Sequence, residues 1–352
     1  MPSLVAVSHI DFPHRTSQQA VKDFSREVFA PSFPDIGRML SVFDNTEIET
    51  RNLCQSLQYY VQPHTFEEQN REYIRLALEY SVQAIDTCLA RAGIDPAEVT
   101  DLLFVSTTGL ATPSLDALII NRMRLNPHVN RMSVFGLGCG GGVSGFAKAC
   151  TLAKANPEAV VLLVAVELCS LTFLRHDTGK SNFIGSCLFA DGVAACLITG
   201  DQRECPAEKQ IRFVAGESKL YYDTLDIMGW DFTDSGFKVL FSPGIPTLIA
   251  GHVRQDVTSF LARYALSLPR IKNFIFHPGG KKVLAAYEEA LDLRDDRLRT
   301  SRQVMKEYGN MSSATVLYVL ERFWQEHEEG YGLMMSMGPG FSSEMVLLDM
   351  KG

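Results

Sequence analysis

The sequence predicts an α/β fold made of two similar halves, and three observations carry the prediction. Short apolar runs alternate with helix-like segments. The order of those segments repeats after a polar stretch at residues 200–212. In each half a helix start bearing one reactive or polar side chain, Cys139 or Asn310, follows a strand end at nearly the same distance: Cys139 lies 32 residues beyond Thr107, and Asn310 lies 33 beyond His277.

In the first half, "REYIRLALEYSVQAIDTCLARAG" carries apolar residues at helical spacing, and "DLLFVSTT" reads as a strand ending at Thr107. Next, "RMSVFGLGCGGGVSGFAKAC" (Arg131–Cys150) runs from an apolar stretch through a glycine-rich turn into a helix. "AVVLLVAVE" is apolar without alternation, the mark of a strand covered on both faces. A further strand is expected near "SCLFADGVAACLITG". After the polar seam come a helix in "IPTLIAGHVRQDVTSFLARYALS", a strand "KNFIFHPGG", a turn "KEYGNMSSA" opening a helix, and a strand "GYGLMMSMGPG". This alternation predicts a mainly parallel sheet. Residues 1–205 and 206–352 are expected to form the two halves, the first carrying Cys139 and the second carrying His277 and Asn310, with one shared site at a pseudo-twofold axis.

Composition narrows the function classes. The chain has 352 residues, 46% of them hydrophobic, enough for a large core. Its longest uninterrupted apolar run, Ala159–Val166, is far shorter than the roughly 20 residues a bilayer-spanning helix needs, so no membrane anchor is expected. The N-terminal stretch "MPSLVAVSHIDFPH" lacks the basic and long apolar regions of a secretory signal, which points to the cytoplasm. A net charge of −8 disfavours a nucleic-acid partner. Eight cysteines without a C-x-x-C pair disfavour a structural metal or a redox dithiol.

The glycine-rich turn has two readings. Gly136, Gly138 and Gly141 satisfy G-x-G-x-x-G, with Glu167 as a candidate ribose acid, so a nicotinamide-dependent oxidoreductase stays open at this point. Alternatively Cys139, at a helix N-terminus, has its thiolate favoured by the helix dipole, with the N–H of Gly140 or a neighbour free for an oxyanion. His277 ends a strand before Pro278-Gly279-Gly280, where sites of α/β folds are assembled. Asn310 can serve as an N-cap, or can hydrogen-bond an enolate oxygen without titrating.

Together "GLGCGGG", "HPGGKKVL", "YGNMSSA" and "GPGF" resemble the type III polyketide synthases, the chalcone and stilbene synthase superfamily, over essentially the whole chain. "ELCSLTF" and "MGWDFTDSGFKVLFS" are most similar to bacterial alkylpyrone synthases. The resemblance implies a thiolase fold, with duplicated βαβαβ halves in five αβαβα layers, and a homodimer. It implies coenzyme A thioesters as substrates, acyl-CoA and malonyl-CoA, with no metal or redox cofactor. Cys139 would be the acylated nucleophile; His277 and Asn310 would bind the malonyl thioester carbonyl during decarboxylation. Cavity and substrate contacts would come from Thr107, Thr108, Thr112, Cys169, Thr172, Ser312, Gly279, Gly280, Gly338 and Pro339. Of two gatekeeper positions Phe189 is kept, whereas Val239 replaces a phenylalanine, which implies a wider passage and long fatty acyl starters. Arg38, Arg51, Lys281 and Lys282 are the expected contacts for coenzyme A phosphates. The rival within this fold, a ketoacyl synthase III that condenses once, usually carries His-Gln-Ala-Asn where this chain has "HPGG".

Overall fold

The computed structural model describes residues 1–33, 35–205 and 209–350. The expected boundary between residues 205 and 206 therefore borders a stretch, 206–208, that lies outside the described residues. The strands are β1 (Ser3–His9), β2 (His14–Ser17), β3 (Thr50–Leu53), β4 (Asp101–Val105), β5 (Asn130–Val134), β6 (Val160–Leu168), β7 (Asp191–Thr199), β8 (Ile211–Leu220), β9 (Met228–Thr233), β10 (Gly236–Phe241), β11 (Ile271–Phe276), β12 (Tyr331–Gly338) and β13 (Ser342–Asp349).

Nine of them form one sheet in the order β11-β12-β13-β8-β1-β7-β6-β4-β5. The duplication is visible in this order. Moving out from the β1–β8 pair, the first half runs β1, antiparallel β7, antiparallel β6, parallel β4; the second runs β8, antiparallel β13, antiparallel β12, parallel β11. Among the described residues only β5 extends the first half beyond this repeat, pairing parallel with β4. The sheet is thus mixed, not mainly parallel as the alternation predicted. The reason is local: a tight turn at 339–341 reverses β12 into β13, and β7 returns antiparallel beside β6. The segment expected as one strand in "SCLFADGVAACLITG" is split, with helix Lys180–Leu188 ending before β7 begins at Asp191.

Five layers follow from helix placement. Helix Phe66–Ala92 covers β1, β6 and β7 on the outside; it starts at a Thr65–Glu68 capping box and stops at Gly93, whose φ of 65° suits glycine. Helices Gly141–Ala155 and Thr315–Gln325 pack on each other and on strands of both halves. Helices Ile245–Ala262 and Lys281–Leu291 form the outer layer of the second half, on a core that includes Phe274, Phe276, Leu333 and Leu347. The central helix pair approaches so closely that a Cβ on Gly142 would sit 2.2 Å from the Ser313 carbonyl oxygen. Strand β6 is buried at all nine positions, which explains its unbroken apolar sequence. Among the described residues no helix is long and apolar enough to cross a membrane, and no group of three or more His, Cys, Asp or Glu side chains is placed to hold a metal ion.

Candidate active site

β5 leads through Phe135–Leu137 into a single 3-10 turn, Gly138–Gly140, which feeds helix Gly141–Ala155. Gly138 adopts a φ of +44°, and any Cβ there would lie 2.7 Å from Pro339, so both conformation and space require glycine. Its N–H donates to Thr107 Oγ1 at 3.1 Å, and the Gly140 N–H donates to the Leu137 carbonyl at 2.9 Å. The Gly140 N–H expected to be free for an oxyanion is therefore already used. Cys139, at the centre of the turn, is 9% exposed.

The second half supplies the partners. His277 follows β11 and donates its backbone N–H to Met335 of β12 at 2.8 Å, while neither ring nitrogen has a hydrogen-bond partner among the described residues. Its ring lies against Gly279, where a Cβ would be 3.5 Å from Nε2. Asn310 is held at both ends. Its backbone N–H donates to Leu188 and its carbonyl accepts from Ala190, while its side-chain Nδ2 donates to the Gly279 carbonyl at 3.2 Å. Its Oδ1 accepts from Ser312 N at 2.9 Å, an Asx-type turn and not the expected N-cap, because the 3-10 turn Ser312–Ala314 starts from Met311 and helix Thr315–Gln325 starts from Ala314. Cys139 Sγ sits 4.0 Å from Asn310 Oδ1 and 3.8 Å from Ser312 Oγ. Cys139, Asn310, Gly279 and His277 thus form one buried chain of contacts drawn from both halves.

Burial dominates the electrostatics. It pushes the Cys139 thiol up to about 12, with the Ser312 hydroxyl pulling the other way, and it drives the His277 imidazole down to about 3. Burial thus disfavours the charged form of both groups. The helix end expected to favour a thiolate contributes about 1 kcal/mol, less than the cost of stripping water from a charged sulfur. Glu167 is fully buried; burial raises it to about 7, although it accepts from Thr107 N, Thr108 Oγ1 and Ser313 Oγ. Enclosed in this way, it has no room for a ribose, and the dinucleotide reading falls with it.

Several expected contact residues sort themselves by position. Cys169, Thr172, Phe189 and Val239 line a cavity of about 70 Å³, together with Phe24, Phe173, Trp230 and Phe237. The cavity abuts the site because the Phe189 backbone is bridged to Asn310. Thr107 and Thr108 are committed to the Cys139 turn and to Glu167. Gly338 and Pro339 press against the backs of Gly140 and Gly138 and so support the turn instead of lining a passage. Gly280 is buried beneath the His277 loop. Thr112 is exposed, in contrast to the expected cavity position, because the loop after Gly109 runs out over the surface.

The expected phosphate contacts also divide. Arg51 is 1% exposed, its Nη1 donating to the Ser186 and Phe189 carbonyls at 2.7 and 2.9 Å; it is an internal brace for the Phe189 segment and cannot meet a phosphate at the surface. Arg38, Lys281 and Lys282 are exposed, and Lys281 pairs with Glu47 at 3.0 Å.

Comparison with known proteins decides the family. Models of the N-terminal and C-terminal domains of chalcone and stilbene synthases match residues 50–202 and 216–351. The chain belongs to the type III polyketide synthases. A putative chalcone synthase of Bacillus subtilis is 42% identical, over 95% of this chain and 94% of its own length. A 1,3,6,8-tetrahydroxynaphthalene synthase of Streptomyces peucetius is 34% identical over 98% and 92%. Among solved structures, the tetrahydroxynaphthalene synthase of Streptomyces coelicolor superposes with a TM-score of 0.93 at 27% identity, covering 99% of each chain. The thiolase fold and the decarboxylating condensation chemistry of the family follow. Sequence reasoning missed three parts of this synthase: the Ser313 contact to Glu167, the internal place of Arg51, and the aromatic wall of Phe24, Trp230 and Phe237. Only the last left a signal, in the closely spaced aromatics of "MGWDFTDSGF".

Proposed function

We propose that this synthase transfers a long-chain fatty acyl group from coenzyme A to Cys139, extends it with several malonyl-CoA units, and cyclises the product to alkylpyrones or alkylresorcinols. The observation that carries the reading is the meeting of Cys139 Sγ, Asn310 and Ser312 within 4.0 Å beside an unpartnered His277 and an apolar cavity.

His277 takes the thiol proton as Cys139 Sγ attacks the starter carbonyl, and returns it to the departing coenzyme A sulfur. A malonyl thioester then loses its carboxylate as CO₂. The electron pair of the broken C–C bond becomes an enolate, whose oxygen accepts from His277 and from the Asn310 Nδ2 hydrogen not used by Gly279. The enolate carbon attacks the acyl carbonyl on Cys139, and the C–S bond breaks. No metal or redox cofactor enters this scheme. A cavity walled mainly by Phe24, Phe173, Phe189, Trp230, Phe237 and Val239 suits an apolar acyl chain. The exposed edge of β5, with Met132 and the adjacent Phe135, supports a homodimer.

Intact-mass analysis tests the roles. Cys139→Ala is expected to accept no acyl group from acyl-CoA, whereas Asn310→Ala loads normally but decarboxylates malonyl-CoA at least about a hundredfold more slowly, the scale of losing one oxyanion donor. Acylation of Cys139→Ala would overturn the assignment. Product mass spectra from starters of graded length test the chain-length reading, and a preference for short aromatic starters would remove it.

A further inference from the structure

A polar groove of about 540 Å³ lies beside helix Ile36–Asp44, lined among others by Lys22, Asp44, Glu47, Arg299, Arg302 and Lys306. It adjoins the His277 loop, since Lys281, the first residue after Gly280, reaches the same Glu47. The arrangement of charge in it is unusual. Glu47 holds two cations from the second half at once, Lys281 Nζ at 3.0 Å and Arg302 Nη1 at 3.1 Å. Arg302 is gripped from its other side by Glu288 at 2.6 Å and would stay in position if Glu47 released it.

Glu47 is not there by slackness of its loop. Its φ is +66°, a conformation that costs a residue with a side chain. Its neighbours are tied down: Thr46 Oγ1 donates to the Phe43 carbonyl at 2.9 Å and accepts from Gln18 Nε2 at 3.0 Å, and Glu49 N donates to the Lys306 carbonyl at 2.8 Å. The turn therefore aims one carboxylate between two basic groups at the edge of the thioester site. These ion pairs are partly exposed, with Lys281 at 50%, Glu47 at 37% and Arg302 at 26%, so exchanging their partner costs little. A phosphate offers the same cations more charge and bidentate geometry.

We infer that Glu47 is an internal competitor for the nucleotide phosphates of coenzyme A, occupying Lys281 and Arg302 in the empty enzyme and yielding them when the thioester binds. This rests on the synthase reading above for the identity of the ligand. Glu47 is a positioning residue: it touches the cations, not the reacting atoms.

The test uses adenosine 3′,5′-bisphosphate, which carries the nucleotide phosphates without a thioester, titrated calorimetrically into the full-length protein. Glu47→Gln is expected to bind it about three- to tenfold more tightly than wild type, the effect of removing one charge near a partly solvated phosphate. The KM for malonyl-CoA falls by the same factor at unchanged kcat, while the KM for the malonyl N-acetylcysteamine thioester, which has no nucleotide, stays constant. Unchanged or weaker binding by Glu47→Gln, with a lowered Tm, makes Glu47 a structural strut and overturns the inference. Should Glu47→Gln fail to fold, Arg302→Gln is expected to weaken bisphosphate binding about tenfold, and unchanged binding there overturns it equally. Bisphosphate binding needs no turnover, so failure of the condensation reading, seen as no product from wild type, is told apart from failure of this one.

Discussion

Val239 and Phe189 converge on the space beside Gly185: a Cβ there would lie 3.3 Å from the Phe189 ring and 3.7 Å from Val239 Cγ1. The Phe189 ring fills one side of this space, and Val239, the smaller of the two side chains, forms the other. Val239→Phe adds several carbons to a wall that has about 70 Å³ behind it. The overpacking cost of about 1–3 kcal/mol predicts a KM for long-chain acyl-CoA raised roughly tenfold to a hundredfold, with short-chain starters little affected. Steady-state kinetics over graded starters measure it, and an equal effect at every length would show that Val239 does not face the chain. Arg51 teaches the complementary lesson. Its charge invited assignment to phosphate, yet its neighbours bury it, and only a map of contacts separates an internal brace from a surface cation.

Helix Thr315–Gln325 fills the middle layer and carries one buried carboxylate, Glu321, that bonds to His9 of β1 and to Arg91 of helix Phe66–Ala92. Burial alone would raise its pKa, but His9 and Arg91 outweigh that and hold it below the usual glutamate range. A folded pKa below the unfolded value of about 4.3 stabilises the fold above that pH, and the contribution is lost as pH falls through the folded value. Glu321→Gln is therefore expected to lose about 2 kcal/mol at pH 7, a charged hydrogen bond's worth, with the gap to wild type closing below pH 4. Urea melts at several pH values measure this; a gap that persists undiminished at pH 3 would assign the effect to shape instead of charge. Elements of this kind were only partly readable. β6 declared itself because both its faces are covered and its first seven residues are all apolar, whereas the last turn of helix Lys180–Leu188 falls inside the segment expected as a strand because its short apolar positions carry no clear period.

At the scale of the whole molecule, one edge of the large sheet, β5, is left largely exposed by the described residues. β5 is exposed along most of its length, with Met132 39% and Phe135 46% exposed, and Phe135 continues into contact with Phe232 of β9 at 6.3 Å between rings. Bare strand edges with apolar side chains invite pairing with another copy. Light scattering is expected to find a dimer, and Met132→Asp with Phe135→Asp to shift it towards monomer without loss of helical circular dichroism. A wild-type monomer at micromolar concentration would contradict the homodimer.

Local residue pattern alone determined the glycine turn around Cys139, the strand end at His277, the turn at Asn310 and the repeat that relates them, because turns and apolar period are written within a few residues. Tertiary structure alone decided the strand directions, the burial of Arg51 and Glu167, the desolvation of Cys139 and His277, and the placing of Glu47 against Lys281 and Arg302. Each of those depends on which distant segments exclude water from a group or bring charge to it, and solvation and charge proximity are properties of packed space, not of neighbours along a chain.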